Sequence, residues 1–161
     1  LFGPCGYGLP SIVGAKIGQP RVPVVGFAGD GAFGIAVNEL TAIGRDEWPA
    51  VTQIVFRNYQ WGAEKRNSTL WFDDNFIGTE LDTKVSYAGI AQACGLLGVQ
   101  VQNMDELTAV LNQAIKDQME NNKTTVIEVI LNQELGEPFR RDAMKKPIQV
   151  AGVTAADMAA E

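Results

Sequence analysis

Short apolar runs rich in β-branched residues recur along this chain and stop at glycines or polar clusters, the pattern of strands buried on both faces. Residues 22–28 and 51–56 are two such runs. Between them Ile35, Ala36, Leu40 and Ile43 recur near helical spacing among the polar Asn38, Glu39 and Arg45, which predicts one crossover helix. Strand, helix and strand make a βαβ unit, whose two parallel strands end on the same rim of the sheet. Further strands are predicted at 99–101 and at 124–131, the latter built around Val126, Ile127, Val129 and Ile130. Small residues predict a helix over 8–18, and Ala88, Ile90 and Ala91 another over 86–94. A longer helix, capped by Asn103 or Asp105, carries an apolar stripe of Leu107, Val110, Leu111, Ala114, Ile115 and Met119 against solvated Gln113, Lys116 and Asp117. The expected fold is α/β, a parallel sheet with helices on both faces. Residues 1–135 are expected to form this domain. From 132 onward apolar periodicity is low and basic pairs appear at Arg140-Arg141 and Lys145-Lys146, so 136–161 is expected to be a tail lying on another domain or subunit.

Chemistry concentrates at the ends of the first two strands. Gly29-Asp30-Gly31 closes one, Arg57-Asn58 closes the other, and 25 residues separate Gly31 from Arg57. Asp30 and Asn58 should therefore lie side by side on the rim where open α/β sheets bind ligands. A carboxylate between two glycines of a phosphate-cradling turn would repel a diphosphate unless a cation sat between them. Magnesium accepts carboxylate, amide and carbonyl oxygens together with substrate phosphates. The glycines let backbone approach the phosphates, and the following helix N-terminus adds a favourable dipole. Gly29 to Gly34 also satisfies the nominal dinucleotide fingerprint G-x-G-x-x-G. That reading wants an acidic residue at the end of the second strand, where this chain has Arg57-Asn58. A metal-held thiamine diphosphate accounts for both Asp30 and Asn58.

This arrangement resembles the diphosphate-binding domain of the thiamine-diphosphate enzymes of the acetolactate synthase and pyruvate decarboxylase group, whose signature is GDG, some two dozen residues, then NN. The chain departs once, with Arg57 replacing the first Asn, a change expected to touch only a supporting contact. The resemblance implies Mg2+ held by Asp30, Asn58 and the backbone carbonyl of Gln60. It also implies cofactor contacts from Gly29, Gly31, Ala32, Phe33, Trp61 and Gly62. The run from Gly3 to Pro10 resembles the loop over the aminopyrimidine ring. There the Gly3 carbonyl would accept a hydrogen bond from the 4'-amino group, and Cys5 would stand where most members place a larger apolar wedge. Glu64 occupies the helix that in the group points to the reacting carbon. It reads either as an acid/base carboxylate or as a surface salt bridge with Lys65 or Arg66. Arg140 and Arg141 read either as sulfonate or phosphate ligands or as ordinary solvated or interface charges. Tyr59 and Trp61 flank the metal turn, where aromatic packing is expected.

Within the group, runs 57–67, 70–81 and 137–144 resemble the sulfoacetaldehyde acetyltransferase branch. That implies conversion of sulfoacetaldehyde and phosphate to acetyl phosphate and sulfite, in taurine and sulfonate degradation. The activating glutamate of the group belongs to a separate N-terminal domain, and its cofactor sites lie between subunits, so N-terminal domains and a homodimer or homotetramer are implied. Alternatives are an acetolactate synthase or 2-oxoacid decarboxylase, or a non-catalytic cofactor-binding module.

Composition narrows the field. With 161 residues, 46% hydrophobic and 20% charged, the chain can bury a sizeable core. It does not begin with Met, and Leu1-Phe2-Gly3 would already belong to the cofactor loop, so preceding domains are expected. A net charge of -6 argues against a nucleic-acid surface. No apolar run is long enough to cross a bilayer and no signal segment is visible, so a cytoplasmic location is expected. The absence of His removes Ser-His-Asp and Cys-His hydrolysis and most zinc catalysis. A cofactor that brings its own base suits that inventory. Cys5 and Cys94 have no metal-ligand or redox spacing, and Cys94 is expected in the core.

Overall fold

The computed structural model describes residues 3–134. At its centre is a wholly parallel sheet in the order β1-β2-β4-β3, made by β1 (Val25–Gly29), β2 (Thr52–Arg57), β3 (Leu97–Val101) and β4 (Thr125–Ile130). β1 and β2 run in register from the Val25–Thr52 pair to the Gly29–Phe56 pair, so they finish together, as the βαβ reading requires.

Alternation along the strands sorts side chains onto two faces. Val55 and Val126 pack with Leu9 and Val13 of α1 (Gly8–Gly18), Phe33 of α2 (Asp30–Ile35), Leu40 and Ile43 of α3 (Leu40–Ile43), and Tyr87 and Ala91 of α5 (Tyr87–Ala93). Their neighbours Ile54 and Ile127 point the other way, joining Val101, Val129 and the Leu107, Val110, Leu111 and Ala114 side of α6 (Met104–Glu120). The sheet therefore carries helices on both faces, as expected. The remaining helix, α4 (Gly62–Trp71), starts beyond the turn that follows β2.

Two local readings are corrected. The predicted single crossover helix is broken into α2, a 3-10 turn at Val37–Glu39, and α3. Gly31 and Gly34 weaken helix propagation, and Ala36 leaves the helical region, its N–H donating to the Phe33 carbonyl three residues back. Ile35 consequently faces solvent, 56% exposed. On α6, Met119 is exposed and Gln118 takes the inward position. The Gln118 amide accepts from the Val24 N–H at 2.7 Å and donates to the Val24 carbonyl and Thr52 Oγ1, both at 2.9 Å, tying the helix end to the sheet. Cys94, at the C-terminal end of α5, is half-buried and packs against the core, as expected. Of the two candidate caps, Asn103 is the one used, accepting from the Glu106 N–H while the Glu106 carboxylate accepts from the Gln102 N–H. The tail assigned to 136–161, with Arg140 and Arg141, lies outside the described residues.

α5 lies directly on β3, and the closeness depends on Gly98: a Cβ there would sit 2.0 Å from the Ala88 carbonyl oxygen. Gly98→Ala is expected to cost about 2 kcal/mol or more. Gly14→Ala, inside α1 where a Cβ meets nothing within 4 Å, should be neutral or stabilising by up to ~1 kcal/mol. Urea unfolding midpoints of the two variants check the contrast.

Candidate functional site

Because β1 ends at Gly29 and β2 at Arg57, Asp30 and Asn58 emerge side by side on the carboxyl rim. Asp30 is 1% exposed and uses its carboxylate oxygens differently. Oδ2 accepts from the Arg57 guanidinium at 3.1 Å and from the Tyr59 N–H at 2.7 Å. Oδ1 accepts from the neighbouring Gly31 N–H, at 2.9 Å, and faces Asn58. The terminal side-chain atom of Asn58 lies 3.3 Å from Asp30 Oδ1 and 3.0 Å from the Gln60 carbonyl oxygen. Turned with nitrogen in that place, the amide donates to both. Turned with oxygen there, it brings three oxygens together with no proton between them, an arrangement that a cation reconciles. One carboxylate, one amide oxygen and one carbonyl form a donor set that suits Mg2+ shared with a diphosphate. Among the described residues no group of three or more His, Cys, Asp and Glu is placed to hold a metal; this cluster instead takes one ligand of each oxygen type.

The turn presenting Gln60 is held firmly. Tyr59 adopts the left-handed region (φ 61°). The Trp61 N–H donates to the Thr79 carbonyl at 2.7 Å and the Leu81 N–H to the Tyr59 carbonyl at 2.9 Å, making Gln60 and Glu80 an antiparallel bridge. The buried Gln60 side chain donates to the Gln133 carbonyl at 2.8 Å. These bonds occupy the carbonyl before Gln60 and the amide after it, leaving its own carbonyl to Asn58.

Two clefts meet over this rim. One, of about 320 Å³, is lined by Asp30, Gly31, Asn58, Gln60, Trp61, Gly62 and Glu64 among others. The second, about 400 Å³, is lined by residues 3–9 with Phe27, Ala28, Gly29, Ala32 and Phe33. Cys5, Gly29 and Ala32 line both. Every cofactor-binding residue singled out from the sequence thus borders one continuous region. A smaller cavity of about 180 Å³, lined by Ile43 to Asp46, Gly95 to Leu97 and Asn122 to Thr124, sits at the opposite rim, away from the strand ends that bind ligands in such sheets. The two glycines of the turn differ. A Cβ on Gly29 would meet nothing within 4 Å, whereas one on Gly31 would strike the Trp61 indole at 2.8 Å. Packing by Trp61, and not only access for phosphate, therefore demands glycine at 31. Cys5 is an exposed free thiol. Glu64 is exposed in the first turn of α4, and the salt bridge sought with Lys65 is not made: Lys65 pairs with Glu80, whose carboxyl it holds below the usual carboxylate range.

Sequence reasoning missed what lies under the site. Arg57 is no peripheral substitution: it is fully buried, beneath Asp30. Its guanidinium donates to Asp30 Oδ2, to the Asp82 carbonyl at 2.5 Å and to the Val85 carbonyl at 3.1 Å, and lies 4.3 Å from the Tyr59 ring centroid and 5.1 Å from that of Tyr87. Glu128 of β4, also fully buried, stands 3.6 Å from Arg57 Nε. The Tyr87 hydroxyl donates to the Asp30 carbonyl at 2.9 Å. The signal was present in β4, where a lone carboxylate in an otherwise apolar strand requires a partner.

Against known sequences, the family profile described as "Thiamine pyrophosphate enzyme, C-terminal TPP binding domain" matches residues 1–129. The chain belongs to this family. The thiamine pyrophosphate-binding domain found here is 78% identical over 98% of its length to a sulfoacetaldehyde acetyltransferase of Roseovarius nubinhibens, and 73% identical over 98% to one of Rhodobacter capsulatus. It covers 26% and 27% of those proteins, so the chain spans about a quarter of the length of the curated relatives it matches. Among solved structures it is similar to benzoylformate decarboxylase from Polynucleobacter necessarius, with TM-score 0.71 and 26% identity, over 84% of this chain and 25% of that one.

Burial pushes the Tyr87 phenol above its ordinary pKa, with Arg57 pulling down and Asp30 and Glu128 pushing up. Tyr87→Phe, losing the bond to the Asp30 carbonyl, should cost ~1 kcal/mol at neutral pH. Because the folded pKa is the higher one, the contribution of the wild-type phenol is complete below about pH 10 and declines as pH rises through the folded value. Denaturant titrations at stepped alkaline pH should therefore show the gap between wild type and variant narrowing.

Proposed function

We propose that this domain is the metal- and diphosphate-binding part of a thiamine-diphosphate-dependent acetyltransferase that converts sulfoacetaldehyde and phosphate to acetyl phosphate and sulfite. The observation that carries the reading is the convergence of Asp30 Oδ1, the Asn58 amide and the Gln60 carbonyl on the carboxyl rim, in a chain 78% and 73% identical to proteins of that name. Asp30, Asn58 and Gln60 would hold Mg2+, with Gly29, Gly31, Trp61 and Gly62 bordering the diphosphate. Gly3, Cys5, Ala32 and Phe33 border the cleft in which the ring portion would lie. When bound, thiamine diphosphate supplies a carbon nucleophile and an electron sink for acyl carbanions.

The residues of this chain orient and neutralise. The buried Asp30 offers one oxygen outward while Arg57 and the Tyr59 N–H retain the other. The clamped 59–61 turn holds the Gln60 carbonyl, and exposed Glu64 stands at the cleft as the carboxylate able to give or take a proton. The group's activating glutamate would come from an N-terminal domain, in a cytoplasmic homodimer or homotetramer serving taurine and sulfonate breakdown. The isolated 161 residues should release no sulfite.

In the full-length protein, sulfoacetaldehyde with phosphate, thiamine diphosphate and Mg2+ is expected to yield sulfite and acetyl phosphate in equal amounts, and pyruvate neither acetolactate nor carbon dioxide. Acetolactate or carbon dioxide from pyruvate, without sulfite from sulfoacetaldehyde, would replace this assignment with a synthase or decarboxylase. Asp30→Asn should weaken Mg2+-dependent cofactor binding by ~10-fold or more, measured by quenching of intrinsic fluorescence.

A further inference from the structure

We infer that Glu128 is a positioning residue acting by charge: it cancels the positive charge that Arg57 brings beside Asp30, so that the site keeps the net negative charge a divalent cation needs. The inference rests on the metal site proposed above and concerns residues that touch neither metal nor substrate. Arg57 and Glu128 come from neighbouring strands, Glu128 opposite Val55 and Arg57 opposite Ile130, so their side chains project from the same face, two register positions apart. Both are fully buried, and so is Asp30. Water cannot screen these charges as it would at a surface. With Asp30 and Arg57 alone, the carboxylate offered to the metal would carry a compensating guanidinium and the pair would sum to zero. Glu128 returns the sum to -1.

Geometry separates this role from a structural one. The guanidinium is already held by Asp30 Oδ2 and by the carbonyls of Asp82 and Val85. Glu128 is anchored through Oε2, which accepts from Ser86 Oγ at 3.0 Å, the Ala88 N–H at 3.1 Å and Gln100 Nε2 at 2.9 Å. Its Oε1 faces Arg57 Nε at 3.6 Å, beyond hydrogen-bond reach, and neither atom has a hydrogen-bond partner. What passes between them is therefore electrostatic: Glu128 is not required to keep Arg57 in place, and its charge is what Arg57 and the metal site feel.

The test is the affinity of the full-length protein for Mn2+, read by electron paramagnetic resonance, and for Mg2+, read by calorimetry, both with thiamine diphosphate present. Glu128→Gln keeps size and an acceptor oxygen but removes the charge, and should weaken both metals by ~10-fold. Glu128→Asp keeps the charge but shortens the side chain, and should stay within about threefold of wild type, short of the roughly 10- to 100-fold cost typical for loss of a supporting partner. A merely structural Glu128 would give the reverse order, Asp worse than Gln, and that order overturns the inference, as does unchanged affinity in Glu128→Gln. If Glu128→Gln does not fold, Gln100→Leu, which removes one hydrogen bond to Glu128 Oε2 but leaves its charge, should bind both metals within about threefold of wild type, and a ~10-fold loss there refutes the proposal. Asp30→Asn separates the two levels. If it too leaves metal affinity untouched, the metal site itself is wrong and the inference falls with it; if only Asp30→Asn weakens binding, the site stands and the role of Glu128 is refuted.

Discussion

One carboxylate with two unlike oxygens organises this domain. Asp30 Oδ2 is committed inward to Arg57 and the Tyr59 N–H, and Oδ1 is thereby aimed at Asn58 and the cleft. Burying a carboxylate so completely is costly unless its hydrogen bonds and counter-charges are in place. Most of the unusual features nearby serve that need. The left-handed Tyr59 puts its N–H on Oδ2, the Tyr87 hydroxyl engages the Asp30 carbonyl, and Gly31 clears room for the Trp61 indole that walls the turn.

Strand order gives the arrangement its stiffness. β2 lies between β1 and β4, so Asp30 after β1, Arg57 at the end of β2 and Glu128 within β4 form a row across neighbouring strands of one sheet. Glu128 also accepts from the Ala88 N–H at the start of α5, which links the row to the helix above it. Rigid support beneath a flexible-looking turn is what ligand preorganisation requires. The outer face of the same turn is secured separately, by the 79–81 segment and the Gln133 carbonyl.

Much of this was legible in the chain itself. The β-branched runs locate β1, β2 and β4, and the rule that a βαβ unit ends both strands on one rim places Asp30 beside Asn58. Gly8–Gly18 matched its helix residue for residue. Where the reading failed, tertiary geometry outweighed periodicity. Ile35 kept helical spacing but fell after two glycines and turned to solvent, and the inward place on α6 went to Gln118 because three polar groups of the sheet edge awaited its amide. Arg57 was underestimated because its partners, Glu128 and the carbonyls of Asp82 and Val85, are distant in sequence and share no motif with it. Glu128 could have been suspected from its apolar strand alone, though not the identity of its partner.

On the proposed reading, Asp30 Oδ1, the Asn58 amide oxygen and the Gln60 carbonyl share one divalent cation at the diphosphate. The most direct test of this reading is a crystal structure of the full-length protein grown with thiamine diphosphate and Mn2+, located by anomalous scattering. A single peak is expected ~2.1–2.2 Å from those three oxygens and adjacent to the diphosphate. A peak bound elsewhere, or a diphosphate seated with the Asn58 amide nitrogen still donating to Asp30 and Gln60, would contradict it.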